Sequence, residues 1–83
     1  MILVVDTEAA VAERLKSMIE FMDTPAVVTA MPDDWRQQAE GERLDAVFLG
    51  PDLADREVAE VVDGVGEIDP NASIVIVDKR ALA

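Results

Sequence analysis

Residues 44–68, LDAVFLGPDLADREVAEVVDGVGEI, contain the pattern that decides the fold of this chain. Residues 44–49 form an almost unbroken apolar run, which is typical of a strand covered on both faces. A turn containing Gly50 follows, and residues 54–68 then place four valines at helical spacing. These valines are Val58, Val61, Val62 and Val65. A buried strand that leads through a loop into an amphipathic helix is the building unit of parallel sheets.

The same unit recurs on both sides of this stretch. The other predicted strands are residues 2–5, 26–30 and 73–77, and the other predicted helices are residues 7–22 and 34–42. The apolar stripe of the first helix is Val11, Leu15, Met18, Ile19 and Met22. The order β-α-β-α-β-α-β predicts an α/β fold, a parallel sheet of four strands with three helices on its two faces. The apolar fourth strand would lie at an edge, which predicts that more chain or another chain covers it.

Composition limits the possible functions of this chain. The 83 residues allow one domain, residues 1–83, and include neither cysteine nor histidine. Disulfides, thiolate chemistry and the usual zinc ligands are therefore excluded. The net charge of −11 disfavours direct contact with nucleic acid. The apolar runs are too short to cross a membrane and no basic leader precedes the first one, which predicts a cytoplasmic protein without a membrane partner.

Ligands of open α/β sheets bind beyond the carboxyl ends of the strands. The predicted strand ends carry Asp6, Thr7, Glu8, Gly50, Asp52 and Asp78. No glycine-rich phosphate loop follows a strand, and the two glycines of DGVGE fall late in a helix. The candidate site is thus acidic, and we predict neither a cofactor nor a bound small molecule.

Three motifs resemble those of response-regulator receiver domains, which implies a flavodoxin/CheY-like fold whose last part lies beyond the chain. ILVVDTE matches the first strand and its acidic pocket, with Asp6 present and Thr7 in place of the second acid. DAVFLG matches the third strand, where Gly50 occupies the phosphoacceptor position. SIVIVD matches the fourth strand, with Asp78 where receivers carry a hydroxyl residue.

These departures all oppose phosphotransfer. The acceptor must be a carboxylate because it forms an acyl phosphate, and Gly50 has none. Asp6 and Glu8 offer two oxygens to a metal without the third from an acceptor, so we predict no metal and expect Asp6 to cap the first helix. Asp52 is expected to face outward on its loop. The acidic pocket of Asp6, Thr7, Glu8 and Asp78 is therefore interpreted as vestigial.

A narrower resemblance points to the N-terminal domain of the FleQ/FlrA family, σ54-dependent master regulators of flagellar genes. The matching residues are Glu20, Phe21 and Met22, then Asp33, Asp34, Trp35 and Arg36, then Phe48, Leu49 and Gly50. The resemblance implies that residues 1–83 are the N-terminal part of a longer regulator, with an ATPase and a helix-turn-helix to follow. It implies a non-enzymatic, non-phosphorylatable domain that regulates through homodimerisation or another protein partner.

Other interpretations remain open. Trp35, Val58 and Val62 are candidate interface residues, although a lone tryptophan and a valine-rich helix more often pack against their own sheet. The chain could also be an active phosphoryl-accepting receiver or an α/β module that senses a small molecule.

Overall fold

The computed structural model describes residues 1–21 and 26–77, which form four strands and three helices in the predicted order. The elements are β1 (Ile2–Val5), α1 (Ala9–Glu20), β2 (Val27–Ala30), α2 (Trp35–Ala39), β3 (Ala46–Leu49), α3 (Asp55–Ile68) and β4 (Ser73–Ile76). The helix of residues 34–42 is shorter than predicted, since α2 ends at Ala39. Gly41 follows with a φ of 74°, a left-handed conformation that glycine adopts without a Cβ penalty.

The four strands pair in the order β2-β1-β3-β4, and every pair is parallel. In this register Val4 of β1 lies between Thr29 and Phe48, and Phe48 in turn lies beside Val75 of β4. This is the strand order of flavodoxin-like α/β folds, so the predicted fold class is confirmed. The order also makes β1 and β3 neighbours at the centre of the sheet, where the ends of both strands meet.

Helices cover both faces of the sheet, as predicted. Alternate residues of a strand point to opposite faces, so β1 contributes to two separate cores. On one face Ile2 and Val4 pack with the buried side of α1. On the other face Leu3 and Val5 pack with β3, α2 and α3. The second core contains Trp35, Ala39, Val47, Leu49, Val61 and Val65.

The apolar stripe predicted for α1 is wider than the surface that the helix buries. Ala12, Leu15 and Ile19 are buried, whereas Met18 is 51% exposed, so its place in the stripe was predicted wrongly. The reason is that α1 contacts mainly β2 and β1, at one side of the sheet, which leaves one flank of the helix open. Met22, the last predicted member, lies outside the described residues.

The edge strand β4 is exposed along its whole length. Among the described residues it pairs with β3 alone, so its outer side carries backbone groups without a strand partner. Ile74, Val75 and Ile76 all present apolar surface, and Ile76 is 66% exposed. The apolar sequence that predicted a strand therefore does not reflect burial within the described part of the chain.

The amino group of Met1 fastens the start of β1 to the segment that enters β3. It donates to the Asp45 Oδ2 at 2.6 Å and to the carbonyl oxygen of Arg43 at 2.9 Å. The hydrogen bond and charge of the ammonium group hold the pKa of the Asp45 carboxyl below its usual range. A lowered folded-state pKa stabilises the chain above the unfolded-state value, and this contribution is lost as the pH falls.

Within residues 1–21 and 26–77, none of the helices combines the length and the apolar character that a membrane crossing requires.

Candidate functional site

The candidate site lies where β1 and β3 end side by side. Asp6 follows β1, and its backbone N–H donates to the carbonyl oxygen of Ala30 at 3.2 Å. Gly50 follows β3, and its N–H donates to the carbonyl oxygen of Val5 at 2.8 Å. The parallel ladder thus continues one residue beyond each strand. It places the first predicted acid directly beside the residue at the phosphoacceptor position.

Asp6 is completely buried. Among the residues that the structure describes, it is the only charged residue that is buried. Its Oδ1 accepts the backbone N–H of Glu8 at 2.8 Å. Glu8 is the residue immediately before α1, and its own side chain makes no capping hydrogen bond. Asp6 therefore shapes the turn into the helix rather than capping it directly, which refines the predicted role.

Gly50 is packed against the Asp6 side chain so closely that a larger residue would force Asp6 to move. A Cβ at this position would overlap the Asp6 Oδ2 and would lie 2.5 Å from its Cγ and 2.8 Å from its Cβ. The Asp6 carboxyl thus fills the space into which a side chain at position 50 would project. The absence of an acceptor at Gly50 and the position of Asp6 are two aspects of one packing arrangement.

Asp52 turns toward this site, although the sequence predicted that it faces outward. Its Oδ2 is buried and accepts no hydrogen bond. The Thr7 hydroxyl donates to the backbone carbonyl of Asp52 at 3.4 Å, which draws the loop after β3 back over the end of β1. The prediction was wrong because it rested on the position of Asp52 beyond the end of the strand. It did not include the contact between Thr7 and the Asp52 backbone.

Burial raises the pKa of the Asp6 carboxyl, since the charged form loses its hydration. The hydrogen bond from the Glu8 N–H acts in the opposite direction, and the negative charge of Asp52 raises the pKa further. The net shift is upward, toward the neutral acid. The site therefore holds two facing carboxyl groups whose electrostatic interaction is repulsive when both are ionised.

The predicted acidic pocket is assembled only in part. Asp6 lies beside Gly50 and Thr7 contacts the backbone of Asp52, whereas Glu8 is exposed and contributes its backbone N–H. Asp78 lies outside the described residues. Among residues 1–21 and 26–77, no group of three or more acidic, histidine or cysteine residues is arranged to hold a metal ion.

Trp35 packs inside the fold, and it is 3% exposed. A Cβ on Gly64 of α3 would lie 2.5 Å from the Trp35 Cζ2, so the indole lies directly against the helix at this glycine. Arg36 covers the ring at 5.1 Å from its centroid and reaches the Glu67 carboxylate at 3.6 Å. The predicted interface role of Trp35 does not fit this burial.

The other two candidate interface residues, Val58 and Val62, lie half-buried at the margin of the same core. A groove of about 480 Å³ opens between α2 and α3, and three of its six lining residues are acidic. It is lined by Pro32, Asp33, Trp35, Arg36, Glu60 and Asp63. This groove is not at the carboxyl ends of β1 and β3, where side chains fill the space.

Comparison with known proteins finds no match among protein-family models, curated proteins or solved structures.

Proposed function

We propose that this chain is a receiver-like regulatory module that is not phosphorylated and that acts through self-association. The observation that carries the proposal is the packing of Asp6 against Gly50. A receiver stores its signal as an acyl phosphate on a carboxylate at the end of the third strand. Here that position has no carboxylate, and the neighbouring Asp6 occupies the space that one would need.

Asp52 is the rival acceptor, because it is the carboxylate that the loop brings to the site. Its Oδ2 is shielded from solvent while the residue as a whole is half-buried, so the approach of a phosphoryl donor is blocked at one of its two carboxyl oxygens. Asp6 is shielded completely. Both observations favour a site without phosphotransfer, and the proposed module is accordingly not an enzyme.

Incubation with acetyl phosphate and Mg²⁺ tests this part of the proposal. We expect no added phosphoryl mass in the intact protein and no spectral shift of Trp35 with beryllofluoride. A hydroxylamine-sensitive adduct would contradict the proposal. Asp52→Ala would then establish whether Asp52 is the acceptor, and an active receiver treated in parallel verifies the donor.

Self-association is supported by the edge strand β4. Its side chains are exposed and apolar, and its outer backbone groups have no strand partner within the described residues. A strand of this kind pairs readily with another strand. The half-buried Val58 and Val62 contribute less accessible surface. We therefore place the proposed homodimer contact of the 83-residue chain at β4, the edge that any continuation of a receiver-like sheet would also cover.

Sedimentation equilibrium tests the contact. We expect the chain to dimerise at high concentration and expect Ile76→Lys to shift the population toward monomer, because a charge on an edge strand opposes pairing. Phe21→Lys is the matched control, since Phe21 is 93% exposed and directly follows α1. That helix packs against β2 and β1, away from β4. A chain that stays monomeric, or equal effects of the two substitutions, would contradict the β4 contact.

The proposed context is a cytoplasmic σ54-dependent activator of flagellar genes, and it derives from the FleQ/FlrA-like motifs. In that context Gly50 is the residue that distinguishes the family from phosphorylated receivers, and Trp35 and Arg36 belong to its DDWR motif. The genomic sequence downstream of Ala83 provides the test. We expect a Walker motif and a GAFTGA-like loop, and an unrelated downstream sequence would contradict this context.

A further inference from the structure

The pair of carboxyl groups at the end of the sheet has two oxygens without partners. The Oδ2 of Asp6 and the Oδ2 of Asp52 are both buried, and neither has a partner at hydrogen-bond geometry. A buried polar atom without a partner is costly, and a buried carboxylate more so. The other oxygen of Asp6 is already occupied by the Glu8 N–H. The two unsatisfied oxygens belong to neighbouring groups, because the Asp52 side chain lies within hydrogen-bonding reach of the Asp6 carboxyl and raises its pKa.

The surroundings provide no positive charge that would compensate the pair. β2 contributes a backbone carbonyl, that of Ala30, and β3 contributes Gly50, which has no side chain. The start of α1 contributes the backbone N–H of Glu8, and the loop after β3 contributes the backbone N–H of Asp52, both of which lower the pKa of Asp6. Asp52 is the charged side chain that acts on Asp6, and no basic residue of the described segments contributes. A single proton is the simplest species that would remove the electrostatic repulsion between two such carboxyl groups.

We propose that Asp6 and Asp52 share one proton in the folded chain and that this proton fastens the loop after β3 to the end of β1. A protonated carboxyl donates its O–H to the carboxylate opposite, so one proton gives both unpartnered oxygens a hydrogen bond. The Thr7 hydroxyl already holds the backbone of Asp52 in place, which sets the loop in position for this second bond. The proposal is independent of whether the chain belongs to a transcription regulator.

The direction of the pH effect follows from linkage. The pKa of Asp6 is raised in the folded state, first by burial and further by the charge of Asp52. Stabilisation by the shared proton is therefore fully present below the unfolded-state pKa and is lost as the pH rises through the raised folded-state pKa. Asp45 has the opposite dependence, because its lowered pKa makes its contribution disappear as the pH falls. A local measurement at the loop separates the two effects.

Carboxyl carbon NMR and amide hydrogen exchange of the 83-residue chain test the proposal. We expect the Asp6 Cγ to titrate above the exposed aspartates. We also expect the protection of amides at residues 51–57 to fall by about tenfold per pH unit above that midpoint. Amides within α1 should keep their protection over the same range.

Three variants make the test specific. Asp6→Asn should abolish the pH dependence of the loop, because its amide donates to Asp52 at every pH. Asp52→Asn should move the titration midpoint of Asp6 downward, since the opposing charge is gone. This variant still tests the proposal if Asp6→Asn fails to fold. Asp63→Asn, at an exposed position in α3, is the matched control and should behave as the parent chain. An Asp6 that titrates like an exposed aspartate, or an Asp52→Asn variant with an unchanged Asp6 midpoint, would overturn the proposal.

Discussion

Gly50→Asp is expected to destabilise the chain severely and to leave it unable to accept phosphate. The new Cβ would overlap the Asp6 Oδ2 and crowd the Asp6 Cγ and Cβ. Overpacking of this kind costs about 1–3 kcal/mol. A third carboxylate beside Asp6 and Asp52 adds the cost of burying an unpaired charge, which brings the expected loss to more than about 4 kcal/mol. A domain of this size has a total stability of only about 4–12 kcal/mol.

Urea unfolding followed by Trp35 fluorescence measures the loss, and Gly50→Ala is the matched control. Alanine adds the Cβ without the charge, so we expect it to cost about 1–3 kcal/mol. In an Asp6→Ala background this cost should decrease, because the overlap with Oδ2 and Cγ disappears while the Cβ contact at 2.8 Å remains. A Gly50→Asp variant as stable as the parent chain would contradict the packing argument, and one that takes up phosphate would contradict the proposed function as well.

The fold was predictable because its signals are local. Each strand is a short apolar run, and the two longer helices have a repeating apolar stripe that must face a sheet. The meeting of Asp6 and Gly50 was also foreseeable, since the ends of neighbouring parallel strands lie together. These inferences need the order of the elements and the direction of the strands, and the sequence pattern supplies both.

The details of the site depend on contacts that no local pattern encodes. The inward turn of Asp52 follows from the hydrogen bond between the Thr7 hydroxyl and the Asp52 backbone. The filling of the acceptor position follows from the side-chain orientation of Asp6. A loop sequence with one proline and one aspartate is equally compatible with an outward carboxylate, which is why the sequence alone predicted the wrong direction.

The same limit applies to the second core. The sequence indicated that Trp35 packs more readily against its own sheet than against a partner. It also indicated that the two glycines of α3 do not form a nucleotide-binding motif. It did not predict that Gly64 lies against the Trp35 ring, because α2 and α3 are separated by a strand and two loops. Only the packing of the two helices reveals why a glycine stands at position 64 of α3.

Trp35→Ala is expected to be the most damaging apolar substitution in this core. The indole is almost completely buried and belongs to the cluster that joins α2, α3 and the sheet. Truncating such a side chain leaves a large cavity and costs about 3–5 kcal/mol. Trp35→Phe keeps part of the volume, so it should cost less, and circular dichroism in urea measures both without relying on tryptophan fluorescence. A loss below about 1 kcal/mol for Trp35→Ala would contradict the burial of the indole between α2, α3 and the sheet.

The two glycines of α3 provide the sharpest test of this contact, because they differ in one respect. Gly64→Ala would place a Cβ 2.5 Å from the Trp35 Cζ2, whereas Gly66→Ala meets nothing within 4 Å. Alanine in a helix is favoured over glycine by about 1 kcal/mol, so Gly66→Ala should stabilise the chain while Gly64→Ala destabilises it by about 1–3 kcal/mol. In a Trp35→Ala background the ring is gone, and Gly64→Ala should become stabilising like its neighbour, because the remaining close atom is the flexible end of Arg36. A Gly64→Ala effect with the same sign in both backgrounds would show that the Trp35 ring does not dictate the glycine at this position.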